Sequence, residues 1–550
     1  MSNRLNQRSK QAKISLLSTF IVLSVWTIIL LGFSSCESNK KSDTVVNPDY
    51  GITICGTVQF VGNCATETDS LIPLGMALVH HMTYEEAEEI FDKVMEIDPS
   101  CFWGPWGKAM TFIHPLWNDQ PSEAQMSTGW ELSMKCSELA YTPREEQYAN
   151  VIASYYKEGQ RRSLQERLHS WNKAWEDAFK EFPEDLEIKS FYALSLIAVA
   201  DPKDKTYPNQ LKAGQLAQEV LKEIPSHPGA FHYTIHAYDY PELAEKAKSA
   251  AENYSSIAPD VPHALHMPSH IFTRLGMWDE SIEWNRRSAE AAKKSAIGRG
   301  SLHYLHAKDY IVYALLQQLK DTEVKQELED LNNLRSNVEQ HPASAYALSA
   351  VEARYALERH NWEIASKIVP RNSKNIDWDR FPEYEALSHF AIGIGAARSG
   401  DVKKAQSASK TLQTLSEKIN NPYWSEQVQI QGLSVNAWTE FTKGNKTKAL
   451  ELMMEAEKRE RATNKHPITP GELLPASELL GDMYLELQNP EKAFIHYQYA
   501  LERSPERFNS LRGAALAAEM SNRKEIAQDY RNKLSALTKG VQNEKGSSKS

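Results

Sequence analysis

The sequence predicts an all-α fold, a right-handed solenoid of helical hairpins, and three observations carry that prediction. From residue 68 to residue 538, apolar residues recur at the helical period, and almost nothing alternates at the period of two that a half-buried strand needs. The helical segments come in pairs joined by short turns, and near the C-terminus the pairing repeats at a fixed interval. At 550 residues the chain also exceeds what a single core usually supports, so it forms either several domains or a stacked array.

In chain order, the first element is a targeting segment. Arg4, Arg8, Lys10 and Lys13 precede an apolar run from Ile14 to Phe33, then Ser34, Ser35 and Cys36. A basic start, an apolar stretch and small residues mark a secretory signal over residues 1–36. The small-small-Cys ending resembles a bacterial lipobox, which implies a lipidated Cys36 as the mature N-terminus. Phe33 departs from the aliphatic residue expected there, and the run is long enough for an uncleaved membrane anchor. Either reading tethers the chain to a membrane, the outer membrane of the cell envelope by preference, with its bulk outside the cytoplasm.

Residues 37–67 read as a tether, polar at first and containing Cys55 and Cys64 in ICGTVQFVGNC. Outside the cytoplasm disulfides are permitted, and these two cysteines are close enough to close a short loop. Cys101 and Cys136 either pair between neighbouring helices or stay as buried thiols. Residues 539–550, ending in GSSKS, read as a disordered tail.

The clearest hairpin runs from Leu479 to Pro505. Gly481 and Tyr484 fall on its first helix, Ala493, Tyr497 and Ala500 on its second, and Pro505 ends the unit; Ala527 lies 34 positions beyond Ala493. Small residues are needed where helices cross closely, and proline where a helix must stop. This pattern resembles the tetratricopeptide repeat (TPR). Weaker copies include Ala87, Phe91 and Pro99, then Trp175, Ala178 and Pro183, then Ala449 and Ala456, with Gly400 and Gly444 at turns. The resemblance covers residues 68–538 and implies a concave surface lined by first helices.

Eight of the 17 histidines lie between His227 and His306. With Ala247 and Ser281 as crossing positions on successive second helices, the histidines fall on the first helices that precede them. His232 and His236 are four apart, with Asp239 following; His263, His266 and His270 come next; His303 and His306 open a third unit. Such spacing puts side chains on one helix face. Neutral imidazole is the commonest protein ligand for zinc and copper, and three adjacent helices could supply three or four ligands, with Asp239 as a ligand or an orienting group. Pro268 disfavours helix at Met267 and divides the His263–His270 segment. Taken singly, each histidine also suits a half-buried position bonded to a carbonyl or an acid.

The strings HPGAFHYTIHAYD, VPHALHMPSHIFTRLGMWDE and HHMTYEEAEEIFDKVMEIDPSCFWGPWGKAMTFIHPLW resemble a family of secreted or lipid-anchored bacterial TPR proteins, which lends no defined reaction. Members near polysaccharide-utilisation machinery make a glycan role an admissible alternative, with Trp103, Trp106 and Trp117 as stacking platforms. His80, His81 and His114 read as local packing.

The formal net charge of −10 without a basic stripe excludes nucleic acid as a partner. No Gly-rich phosphate loop, GxSxG, CxxC or HExxH occurs, and HYTIH lacks the glutamate of the last motif. No catalytic residue or organic cofactor is assigned. The leading reading is therefore a membrane-anchored repeat scaffold that binds a protein or peptide partner in the envelope. Metal binding, by zinc or copper, is the first alternative and an accessory role in polysaccharide utilisation the second.

Overall fold

The computed structural model describes residues 55–60, 62–117, 120–294 and 301–539. The signal or anchor over 1–36 with its Cys36, the start of the tether and the tail from 540 lie outside the described residues. Among the described residues every regular element is a helix, and none is long and apolar enough to cross a membrane.

The hairpins follow one another as the periodicity requires. Leu71–His80 pairs with Tyr84–Ile97, Pro382–Arg398 with Val402–Lys418, and Ala476–Glu486 with Pro490–Arg503. Proline opens many of these helices, including Pro143, Pro208, Pro228, Pro342, Pro422 and Pro490, where its fixed φ suits the first turn. Ser122, Thr142 and Ser163 close capping boxes with Gln125, Glu145 and Glu166. Gly400 and Gly444 take φ of +88° and +86° at the turns. Tyr497 fills the space between Gly481 and Gly513; a Cβ on Gly513 would sit 2.2 Å from its ring, so only glycine admits it.

The two helices of a hairpin differ in burial. All 16 residues of the first helix Leu302–Gln317 are buried, whereas the second helix Val402–Lys418 buries only Ala405, Ala408, Leu412, Leu415 and Ser416 of its 17. First helices therefore form an inner layer and second helices an outer one. The inner layer is covered on its far side because the C-terminal hairpins return across it. Arg507 pairs with Glu358 and Glu478, and the backbone N–H of Phe508 donates to Gln317. The segment between Arg461 and Ala476 also crosses the inner layer, where Tyr310 donates to the carbonyls of Pro467 (3.0 Å) and Thr469 (3.2 Å).

Three expectations are corrected. Cys64 is bonded to Cys101 rather than to Cys55, because the turn before Trp103 brings Cys101 to the segment that carries Cys64, while Cys55 is buried with its carbonyl against His81. Residues 55–60 and 62–67, which form a strap, are not a free tether. Thr57 N donates to Ser226 O and Gln59 N to Glu187, so the strap is packed on the solenoid. Ala247 ends a 3-10 turn, Ala244–Ala247, so the second helix of its unit is shortened to Lys248–Tyr254.

Candidate metal centre

Three consecutive units bring the histidines together. His232 and His236 sit on Pro228–Tyr238, a helix buried on every side. His263 and His266 occupy the single short helix Pro262–His266, and His270 lies on Pro268–Leu275. Pro268 does divide this segment, but Met267 keeps helical dihedrals (φ −52°, ψ −39°), so the rings stay in register across the break. His303 and His306 lie on the first turns of Leu302–Gln317.

The rings sort into two triads. His232, His236 and His263 offer nitrogens that lie within 4.8 Å of one another, and so do His266, His270 and His306. His303 belongs to neither; its ring is 5.6 Å from that of His263. Asp239, a candidate ligand or orienting group, faces the candidate ligand His270. It ends the Pro228–Tyr238 helix, receives Arg274 Nε at 2.8 Å and Lys465 Nζ at 3.0 Å, and faces His270 Nδ1 at 3.0 Å. Burial alone would raise the Asp239 pKa, but Lys465 and Arg274 hold it well below the usual carboxylate range.

These partners fix the tautomers. Asn285 Nδ2 donates to the Ser281 carbonyl at 2.7 Å, which turns Oδ1 toward His266 Nδ1, also at 2.7 Å. The amide oxygen can only accept, so His266 Nδ1 carries the proton. His270 Nδ1 donates to Asp239 by the same reasoning. Both neutral rings then turn bare Nε2 lone pairs toward each other, 3.0 Å apart. Two acceptors at that distance repel unless a proton or a cation lies beside them. A proton would create a buried imidazolium, and burial pushes His266 well below its ordinary pKa and lowers His270 as well. A metal ion accepts both lone pairs at once, since nitrogens bound to one tetrahedral zinc are about 3.3 Å apart.

The other triad is equally short of partners. His232 Nδ1 donates to the His80 carbonyl at 2.7 Å, leaving Nε2 as an acceptor. His232 Nε2, His236 Nε2 and both nitrogens of His263 are buried without a hydrogen bond. Leaving such a group unsatisfied costs about 1–3 kcal/mol. Burial lowers His232 to about 3 and His236, His263 and His306 well below their usual value, so the rings are neutral and competent as ligands. A third buried cluster, His80, Glu187 and His227, has no such shortage. Glu187 Oε2 lies 3.0 Å from His80 Nε2 and 3.2 Å from His227 Nε2, Tyr233 reaches His80 Nδ1 at 2.9 Å, and His227 Nδ1 caps Ala230 N. That cluster is a closed hydrogen-bond set.

Both triads face one cavity of about 20 Å³, lined by His236, His263, His270 and His306 with Trp117, Met267, His466 and Ile468. A space of that size holds about one water, too little for an organic ligand. Sequence reasoning missed Asn285, Arg274, Lys465 and His466. Arg274 stood one turn after His270 and was the one signal available; the others come from distant segments or an outer helix. His80 reaches the site through its backbone carbonyl. Trp103 and Trp106 are fully buried, so they cannot stack on a sugar. Trp117 leans over His263 and His306, with ring centroids at 6.0 and 6.3 Å.

No family model matches the chain, and no curated protein matches it. Among solved structures it is similar to a human IFIT1 dimer with PPP-AAAA, at 12% identity over 86% of this chain and 96% of that one, with a TM-score of 0.39. The assignment of a TPR-like solenoid rests on the helices themselves.

Proposed function

We propose that this chain is a metal-binding helical-repeat protein of the cell envelope, holding a late first-row ion, zinc or copper, in its histidine cavity. The facing Nε2 atoms of His266 and His270 carry the proposal, because each ring has already committed its Nδ1 proton elsewhere. Imidazole without thiolate suits zinc and copper. The chain's own residues 465–469 close over the site, which favours an enclosed ion over a long peptide laid along the same groove. Outer surfaces of the array would serve protein or peptide partners.

The basic N-terminus, the apolar run and Cys36 support envelope anchoring, and the Cys64–Cys101 bond suits an oxidising compartment. Replacing Cys36→Ser should move the protein from the membrane to the soluble fraction; unchanged partition would count against the lipid anchor. Elemental analysis of protein purified without a histidine tag tests the metal reading. At least one equivalent of a transition metal per chain is expected, and less than about a tenth would overturn it.

A further inference from the structure

The two triads are separate ligand sets on one cavity. The nitrogens of each triad cluster within 4.8 Å, and the two sets share no member. An ion bound by imidazole sits about 2 Å from each nitrogen, so an ion seated in one set leaves the other without its own. The cavity between them is lined by His236 and His263 from one triad and by His270 and His306 from the other. We propose that the cavity binds two transition-metal ions side by side, one on each triad, which rests on the metal reading above and extends it.

Three observations argue for a second ion rather than a spare set of rings. The His232 tautomer is set by the His80 carbonyl, as the His266 tautomer is set by Asn285, so each triad has its own orienting acceptor. His232 Nε2, His236 Nε2 and both nitrogens of His263 have no hydrogen-bond partner, whereas the neighbouring His80–Glu187–His227 cluster satisfies its own. The shared space also has room for one bridging water or hydroxide. Six neutral imidazoles bring no charge, and Asp239 is already matched by Arg274 and Lys465. Two divalent ions would therefore draw in an anion such as hydroxide between them. Copper binds nitrogen sites most strongly among the divalent ions of this series and is the probe to use.

The experiment is equilibrium dialysis of metal-stripped, untagged full-length protein against limiting and then saturating cupric ion, with copper per chain measured after each step. The expected result is two ions per parent chain, one in His236→Ala, one in His306→Ala and fewer than about 0.2 in the double variant. Electron paramagnetic resonance should show a signal well under that of two isolated cupric ions in the parent, and a full single-ion signal in each single variant. Saturation of the parent at one ion, lost in both single variants, would overturn the pair while leaving a single metal site. No copper in the parent would overturn the metal reading itself. Two ions retained in His236→Ala would place the second ion elsewhere and also overturn the pair. The parent stoichiometry decides the matter even if a variant fails to fold, which circular dichroism monitors.

Discussion

Lys465 Nζ lies 3.0 Å from Asp239 Oδ2, joining residues 226 positions apart in the chain. Through this contact the segment after Arg461 is fastened to the group that orients His270. Both side chains are almost wholly buried, and burial first lowers Lys465 to about 8, with Asp239 opposing that shift. Breaking such a pair costs about 3–5 kcal/mol when the remaining charge is left alone. Arg274 still faces Asp239, so Lys465→Met should cost about 3 kcal/mol in denaturant unfolding, the low end of that range. It should also speed hydrogen exchange over residues 465–471. Unchanged exchange in that segment would mean that Lys465 does not fasten it.

In the proposed centre Asn285 acts on the metal through His266. Asn285→Leu removes the acceptor that keeps the proton on His266 Nδ1. Loss of such an orienting partner typically weakens metal binding about 10–100-fold. Asn285→Asp, which still accepts, should recover most of that loss in competition with a chromophoric chelator. Equal affinity in the leucine variant and the parent would refute this role.

Glu187 provides the opposite control. Burial alone would raise its pKa, but His227 and His80 hold it far below the usual carboxylate range. Glu187→Gln weakens two charge-assisted bonds and should lower stability by about 2 kcal/mol. Its metal content should match the parent. A loss of metal without a loss of stability would place this cluster in the ligand set.

Asp482 gives a pH-dependent test of repeat packing away from the histidines. Burial, then the charge of Glu478, raises it to about 6, above the ordinary value of 3.8. The folded state thus binds this proton more tightly than the unfolded chain, and stability falls as pH rises from about 4 to about 6. Asp482→Asn, which still accepts from Tyr497, should flatten that slope. It should add about 1–2 kcal/mol at pH 7, discounted because the side chain is only half-buried. Parallel stability–pH curves for the two proteins would contradict it.

The hairpins were legible because their signals are local. Ala493, Tyr497, Ala500 and Pro505 specify a crossing and a stop within a few turns of helix. The spacings of His232 with His236 and of His266 with His270 were legible for the same reason, and the division at Pro268 followed from its ring. Contacts between distant segments leave no local trace. Cys64 meets Cys101 across 37 positions, and Lys465 meets Asp239 only because a late loop crosses the inner layer. Asn285 stands on the Trp278–Lys294 helix, whose outward face looks like any solvated one; its inward turn shows only in three dimensions.

X-ray absorption at the edge of the ion bound to untagged protein reads the ligand atoms themselves. Nitrogen at about 2.0–2.1 Å should dominate the coordination sphere, with the multiple scattering of several imidazoles. A shell dominated by sulfur, from Met267 of the cavity wall or from a free cysteine, or one made only of oxygen, would contradict the histidine centre.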